Sequence, residues 1–218
     1  MSNYDSIRRG VLDSSRWLAE RGYLGQLSSG GNISMRVPGE KIVAITPSGK
    51  PYFLLDLNDI CVIDFDHKPI EGSLSPSIEA GMHIGVYKNR PDVNAVIHTH
   101  QPFASALAII NKPIPALFDE ITVEIGHMVD IVPYAFSGSS ELVNNVIGKL
   151  GNDCHCYLIQ NHGALSLGAD IKRAMKNSEL LENVAQIYCH ALATGEEIQK
   201  LPPSAIDCFA DMRKLRFK

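Results

Sequence analysis

The run Val96-Ile97-His98-Thr99-His100 sets two imidazoles two residues apart at the end of an apolar stretch. In an extended strand alternate side chains share a face, so His98 and His100 can grip one cation between them. Two further donors stand far off in the chain: Glu79, after Ser77-Ile78, and His162, inside Asn161-His162-Gly163. Three imidazoles and one carboxylate that meet only on folding suit a divalent first-row metal, zinc before manganese or cobalt. Each also has a plainer reading. His162 can be a turn residue, Glu79 a solvated helix residue, and His83 competes with Glu79 because the two are one helical turn apart. The spacing alone does not choose between them. His67, His127, His155 and His190 read as structural or solvent-facing.

Two small-residue clusters, Ser28-Ser29-Gly30-Gly31-Asn32 and Thr46-Pro47-Ser48-Gly49, combine permissive backbone with hydroxyl and amide donors. Such loops can hold phosphate oxygens without a dedicated lysine, although Gly and Ser also dominate ordinary turns. Ser73-Leu74-Ser75-Pro76-Ser77 adds a third hydroxyl cluster just ahead of Glu79. Cys154-His155-Cys156 is half of a tetrahedral clip with no second pair to complete it, and reads better as the approach to a buried strand from Cys156.

The elements that must position these groups follow from periodicity. Apolar spacing predicts a first helix over 6–20, then a hairpin of strands 32–37 and 41–46 across Pro38-Gly39, and a strand at 60–64. Helical spacing returns at 77–87, and a strand at 93–98 leads to a helix from Pro102 to Ile110. Strands at 128–132 and 157–160 flank a helix starting near Ser139-Ser140-Glu141, and a long helix over 171–194 closes the core. Without regular βαβ repeats, an antiparallel or mixed sheet with helices on its faces is favoured over a doubly wound parallel one.

With 218 residues and 45% hydrophobic composition, the chain can bury one core, and a single domain over 1–218 is expected, with a mobile tail over 206–218 beyond Pro202-Pro203. A formal net charge of -4 and no basic cluster argue against nucleic acid as partner and for a small substrate. No apolar stretch approaches the ~20 residues that span a bilayer, and no signal pattern opens the chain, so a cytosolic protein is expected. Five cysteines, an odd number in a chain this size, are expected to be reduced thiols.

Taken in order, Gly31-Asn32-Ile33-Ser34, Ile45-Thr46-Pro47-Ser48-Gly49, Ser75-Pro76-Ser77-Ile78-Glu79, His98-Thr99-His100 and Asn161-His162-Gly163 resemble the class II aldolase and adducin head-domain family, most of all its fuculose-1-phosphate aldolase branch. The resemblance runs from about Ile7 to Gly195. It implies a three-layer α/β/α sandwich around a mainly antiparallel sheet, assembled as a homotetramer with sites at subunit interfaces. It further implies zinc held by His98, His100 and His162. Glu79 becomes both metal-side carboxylate and acid/base, which settles it over His83. Gly31, Asn32, Ser48, Gly49 and Ser77 fall on substrate-phosphate positions. The implied reaction is reversible cleavage of a ketose 1-phosphate to dihydroxyacetone phosphate and an aldehyde through a metal-stabilised enediolate.

The chain also departs from that branch. Ile78 stands where a second serine is expected, Asp119 stands where a tyrosine is expected, and 207–218 contains no tail tyrosine. Asp119, ahead of its neighbour Glu120, is nominated as the second proton-transfer residue. A decarboxylase acting on a 3-keto sugar acid phosphate would use the same carbanion logic and is the main rival. Pentulose-phosphate epimerases carry Asp at the Glu79 position and methylthioribulose-phosphate dehydratases lack an acid there. An adducin-like scaffold would not need the three histidines.

Overall fold

The computed structural model describes residues 2–25 and 30–216, and builds them around one nine-stranded sheet. Its strands are β1 (Asn32–Arg36), β2 (Ile42–Ile45), β3 (Cys61–Asp64), β4 (Pro69–Glu71), β5 (Ala95–Thr99), β6 (Ile114–Pro115), β7 (Met128–Val132), β8 (Cys156–Ile159) and β9 (Gly163–Gly168). They lie in the order β4-β3-β2-β1-β5-β9-β8-β7-β6. Every pairing is antiparallel except that of β7 with β8. The helices are α1 (Asp5–Glu20), α2 (Ala80–Asn89), α3 (Pro102–Ile109), α4 (Asp119–Ile125), α5 (Ser140–Ile147), α6 (Ile171–Ala193) and α7 (Pro203–Arg216).

Both faces of the sheet are buried, which is why its central strands read as apolar runs rather than clean alternation. On one face Val43, Ile45, Ile63, Val96, Leu165 and Leu167 pack with Met82 and Val86 of α2 and with Leu142 and Val146 of α5. On the other, Ile33, Ala44, Val62, Ala95 and Ile97 pack with Val11, Leu12 and Leu18 of α1. Farther along that same face, Ile131, Cys156, Leu158 and Ala164 meet Ala104 and Leu107 of α3 and Leu181, Val184 and Ala185 of α6. This is the expected three-layer α/β/α arrangement with a mainly antiparallel sheet.

Local chemistry sets the helix starts. Pro102 occupies the first turn of α3, where a missing N–H costs nothing. The Ser139 side chain accepts the Leu142 N–H at the start of α5, and the Asp170 side chain accepts the Arg173 N–H at the start of α6.

Two readings change. The stretch Gly163-Ala164-Leu165-Ser166-Leu167-Gly168, not anticipated as a strand, is β9 at the centre of the sheet, between β5 and β8. Its terminal glycines look like breakers, yet a β-carbon on Gly168 would strike the Ala174 backbone, so close approach rather than chain reversal explains them. The tail expected over 206–218 is helical over 206–216, as part of α7. Pro203 opens α7 instead of detaching it, and the Arg213 guanidinium donates to the Asp153 carbonyl. No helix among the described residues is long and apolar enough to cross a membrane. All five cysteines are free, and Cys154 and Cys156 pack into different core clusters, leaving no clip between them.

Candidate metal centre

The strand alternation of β5 puts His98 on the α2 face together with Val96, and His100 follows it just past the strand end. Beside β5 runs β9, and the turn that enters β9 carries His162. Asn161 takes a left-handed φ of 54° there, and the His162 N–H returns to the Ile159 carbonyl. The turn reading of Asn-His-Gly is thus correct, and the turn leaves His162 free to stand as a candidate ligand. Glu79 is the residue immediately before α2, its N–H donating to Ser77 Oγ at 3.2 Å.

These four side chains converge. His98 Nε2 lies 3.1 Å from His100 Nε2 and 3.2 Å from His162 Nε2. Glu79 adds Oε2 at 3.4 Å from His98 Nε2 and Oε1 at 3.5 Å from His162 Nε2. Donors on a tetrahedron with metal–nitrogen bonds of about 2.0–2.1 Å stand roughly 3.3 Å apart, which is the spacing observed. His98 Nδ1 donates to the Ala164 carbonyl at 2.9 Å, so in the neutral ring Nε2 keeps a bare lone pair aimed at the cluster. Burial, with His162 and His100 alongside, holds His98 well below the usual imidazole range, and burial lowers His100 too. Glu79 Oε1 is buried without a hydrogen-bond partner. A buried, unpartnered carboxylate oxygen set among imidazole nitrogens calls for a cation, so the donor set fits a divalent metal.

Among the phosphate candidates, Asn32 and Ser77 contact Glu79. Asn32 pairs with His98 across β1 and β5, and Ile33 accepts the Thr46 N–H. The segments bearing Ser48 and Ser77 are zipped together, the Ser48 N–H to the Ser75 carbonyl and the Ser77 N–H to the Thr46 carbonyl. Gly31 and Gly49 both take positive φ, 70° and 74°, and a β-carbon at Gly49 would meet nothing. Ser28 and Ser29, from the first cluster, lie outside the described residues. The Asn32 amide donates to Glu79 Oε2 at 2.8 Å, so its side chain serves the carboxylate directly.

Asp119 sits elsewhere in a single chain. It is exposed in the first turn of α4, with no described hydrogen bond or ion pair to the four-residue cluster, and Glu120 lines a separate cleft with Ile121 and Leu180. Ile78 turns outward at 66% exposure, and Tyr134 and Phe136, on the loop that carries Ser137, are exposed as well. Ser137 was not singled out by its sequence context, yet its Oγ reaches within 3.4 Å of His162 Nε2. No local pattern could have flagged it, because the loop after β7 meets the β8–β9 turn only in the folded sheet.

Comparison with known proteins adds an independent line. Residues 9–189 match the family described as Class II Aldolase and Adducin N-terminal domain. An L-fuculose phosphate aldolase from Escherichia coli O6:H1 is 34% identical over 202 residues, covering 93% of this chain and 91% of the relative. A 5-deoxy-D-ribulose 1-phosphate aldolase from Bacillus thuringiensis serovar kurstaki is 34% identical over 77% of this chain and 78% of its own length. Among solved structures, an L-fuculose 1-phosphate aldolase superposes with a TM-score of 0.88 at 31% identity, covering 98% of each chain.

Proposed function

This chain belongs to the class II aldolase and adducin N-terminal domain family, and from that premise we propose that it is a metal-dependent aldolase that reversibly cleaves a ketose 1-phosphate to dihydroxyacetone phosphate and an aldehyde. The broad activity, that of a carbon–carbon lyase, is shared with the named aldolases it resembles. The observation that carries the reading is the convergence of His98, His100 and His162 with Glu79, whose Oε1 has no hydrogen-bond partner.

His98, His100 and His162 would hold the metal, with zinc the first choice and manganese or cobalt as substitutes, and Glu79 would stand at its side. A bound divalent cation supplies Lewis-acid polarisation of the substrate carbonyl, which lowers the cost of the carbanion left when the carbon–carbon bond breaks. Glu79 Oε1 moves the proton at that carbon, because Oε2 is already engaged by Asn32. Gly31, Asn32, Ser48, Gly49 and Ser77 bracket the substrate phosphate. Asp119 is the proposed carrier of the aldehyde hydroxyl proton. Since it lies apart from Glu79 in one chain, this role requires a neighbouring subunit, as in the proposed homotetramer. Exposed Ile78 beside Glu79, and exposed Phe136 next to Ser137, suit an aldehyde end that is deoxygenated or methyl-bearing, of the fuculose or 5-deoxypentulose type.

The test is single-turnover product analysis on metal-replete protein with fuculose, rhamnulose and 5-deoxyribulose 1-phosphates, with and without chelator. Chelator-sensitive release of dihydroxyacetone phosphate supports the reading and ranks the aldehydes. Bound metal with no release from any of them would discard it in favour of a sugar-acid phosphate decarboxylase.

A further inference from the structure

Glu79, His83 and Tyr87 are four residues apart in succession, from the residue before α2 to the third residue from its end, and so form one stripe. Asn32 and Ser34 are alternate residues of β1 and share the face that this stripe covers. The two sets are zipped by four hydrogen bonds. Tyr87 Oη lies 2.7 Å from Ser34 Oγ, and Ser34 Oγ lies 2.7 Å from His83 Nδ1. His83 Nε2 is 2.5 Å from Asn32 Oδ1, and Asn32 Nδ2 is 2.8 Å from Glu79 Oε2. His83 and Ser34 are both 0% exposed.

The chain of bonds has only one consistent direction. An ionised carboxylate accepts and cannot donate, so the Asn32 amide must turn its NH2 to Glu79 and its oxygen to His83. His83 Nε2 must then carry the ring proton. The ring is fully buried and its other nitrogen, Nδ1, faces a hydroxyl that can donate, so Nδ1 is the acceptor and Ser34 donates to it. Ser34 in turn accepts from Tyr87, whose phenol burial pushes far above its ordinary range. Every donor therefore points toward Glu79. With both ring nitrogens engaged, His83 has no lone pair left for a metal, which answers its competition with Glu79 on structural grounds.

We infer that His83 is a positioning residue: fixed as its neutral Nε2–H tautomer by Ser34, it locks the Asn32 amide so that Glu79 Oε2 stays engaged and Oε1 is the oxygen left for proton transfer. This rests on the proposed role of Glu79. An Asn32 amide free to flip would set its carbonyl oxygen against the carboxylate, repelling it from its working position. Misplacement of that kind costs on the order of 10²-fold in rate.

The experiment has two parts on metal-replete protein. Ring-nitrogen NMR of the wild type reads the tautomer whether or not the protein turns over. A protonated Nε2 with a bare Nδ1 on His83 is expected, and the opposite tautomer or an imidazolium overturns the inference. Exchange of the carbon-bound proton of dihydroxyacetone phosphate with solvent then reads Glu79 directly, since the carbon gives a proton to Glu79 and receives one back after exchange with water. His83→Leu should keep its metal and its KM within about threefold while exchange falls by about 10²-fold. His83→Gln, which can donate to Asn32 and accept from Ser34, should recover most of that loss. Full exchange in His83→Leu, or no recovery in His83→Gln, overturns the positioning role. A wild type that holds metal but exchanges nothing overturns the aldolase reading instead, and the NMR result still decides the tautomer.

Discussion

A β-carbon at Gly31 would collide with the carbonyl oxygen of His98, and Gly31 holds a φ of 70° that side chains other than glycine's rarely adopt. The loop ahead of β1 is thus pressed directly onto the main chain of the candidate metal ligand. A β-carbon on the preceding Gly30 would stand 2.6 Å from His100 Nδ1, so two adjacent glycines fit against two candidate ligands. Gly31→Ala should therefore lose about 2–4 kcal/mol of stability, from strain plus collision, and should also weaken metal binding. Urea denaturation of the metal-free protein and titration with zinc separate the two effects. An unchanged midpoint and unchanged affinity would contradict this account of the loop.

Removing one proposed ligand should abolish metal binding. His98 is fully buried at the centre of the cluster, and its Nδ1 is fixed by Ala164, so no other side chain can take its place. His98→Ala should lose metal retention and cleavage together, by well over the ~10–100-fold typical of outer-shell changes. Metal analysis after dialysis, set beside turnover, checks this. Normal turnover in that variant would end the metal mechanism.

Buried histidines make the metal-free fold acid-sensitive. Burial sets His83 at about 3, and burial with Arg213 and Arg90 nearby sets His155 at about 4, against an ordinary value of 6.5. Above pH 6.5 both are neutral in folded and unfolded chains, and stability does not change on their account. Below it the unfolded chain takes up protons that the folded one refuses, so stability falls with pH down to about 4 for His155 and about 3 for His83. Each contributes a slope of about 1.4 kcal/mol per pH unit within its window. Urea midpoints measured from pH 7 to pH 4.5 should decline steadily, and His155→Phe should flatten part of the decline. A flat profile would contradict the neutral buried state of both rings.

The His98/His100 pair could be nominated because strand alternation is local, and the two Nε2 atoms do lie 3.1 Å apart although His100 stands just past the end of β5. His162 and Glu79 were legible only as candidates. Their meeting depends on β9 sliding between β5 and β8, and β9 is bounded by glycines whose reason is close packing against Thr99 and Ala174, which spacing does not reveal. His83 shows the opposite limit. Its distance from Glu79 was plain from the helical period, but its part depends on Asn32 and Ser34, about fifty residues earlier, and on the direction in which hydrogen bonds run. Helix α7 was hidden because two prolines look like an ending and are equally good at a beginning.

The two proposed proton carriers differ in burial, and that difference predicts different losses. Glu79 is 5% exposed and touches the histidines, whereas Asp119 is exposed in the first turn of α4. Glu79→Gln keeps the shape and one acceptor oxygen but cannot take a proton, so exchange of the carbon-bound proton of dihydroxyacetone phosphate should fall by about 10²–10⁴-fold. Asp119→Asn should leave that exchange within about twofold of the wild type, because the aldehyde hydroxyl takes no part in it. Cleavage of the full ketose phosphate should nevertheless slow by at least about 10²-fold if Asp119 carries the hydroxyl proton. Measuring exchange and cleavage side by side in both variants assigns each carboxylate to its own proton. Full cleavage by Asp119→Asn would strike Asp119 from the catalytic set and leave Glu79 as the sole proposed acid/base.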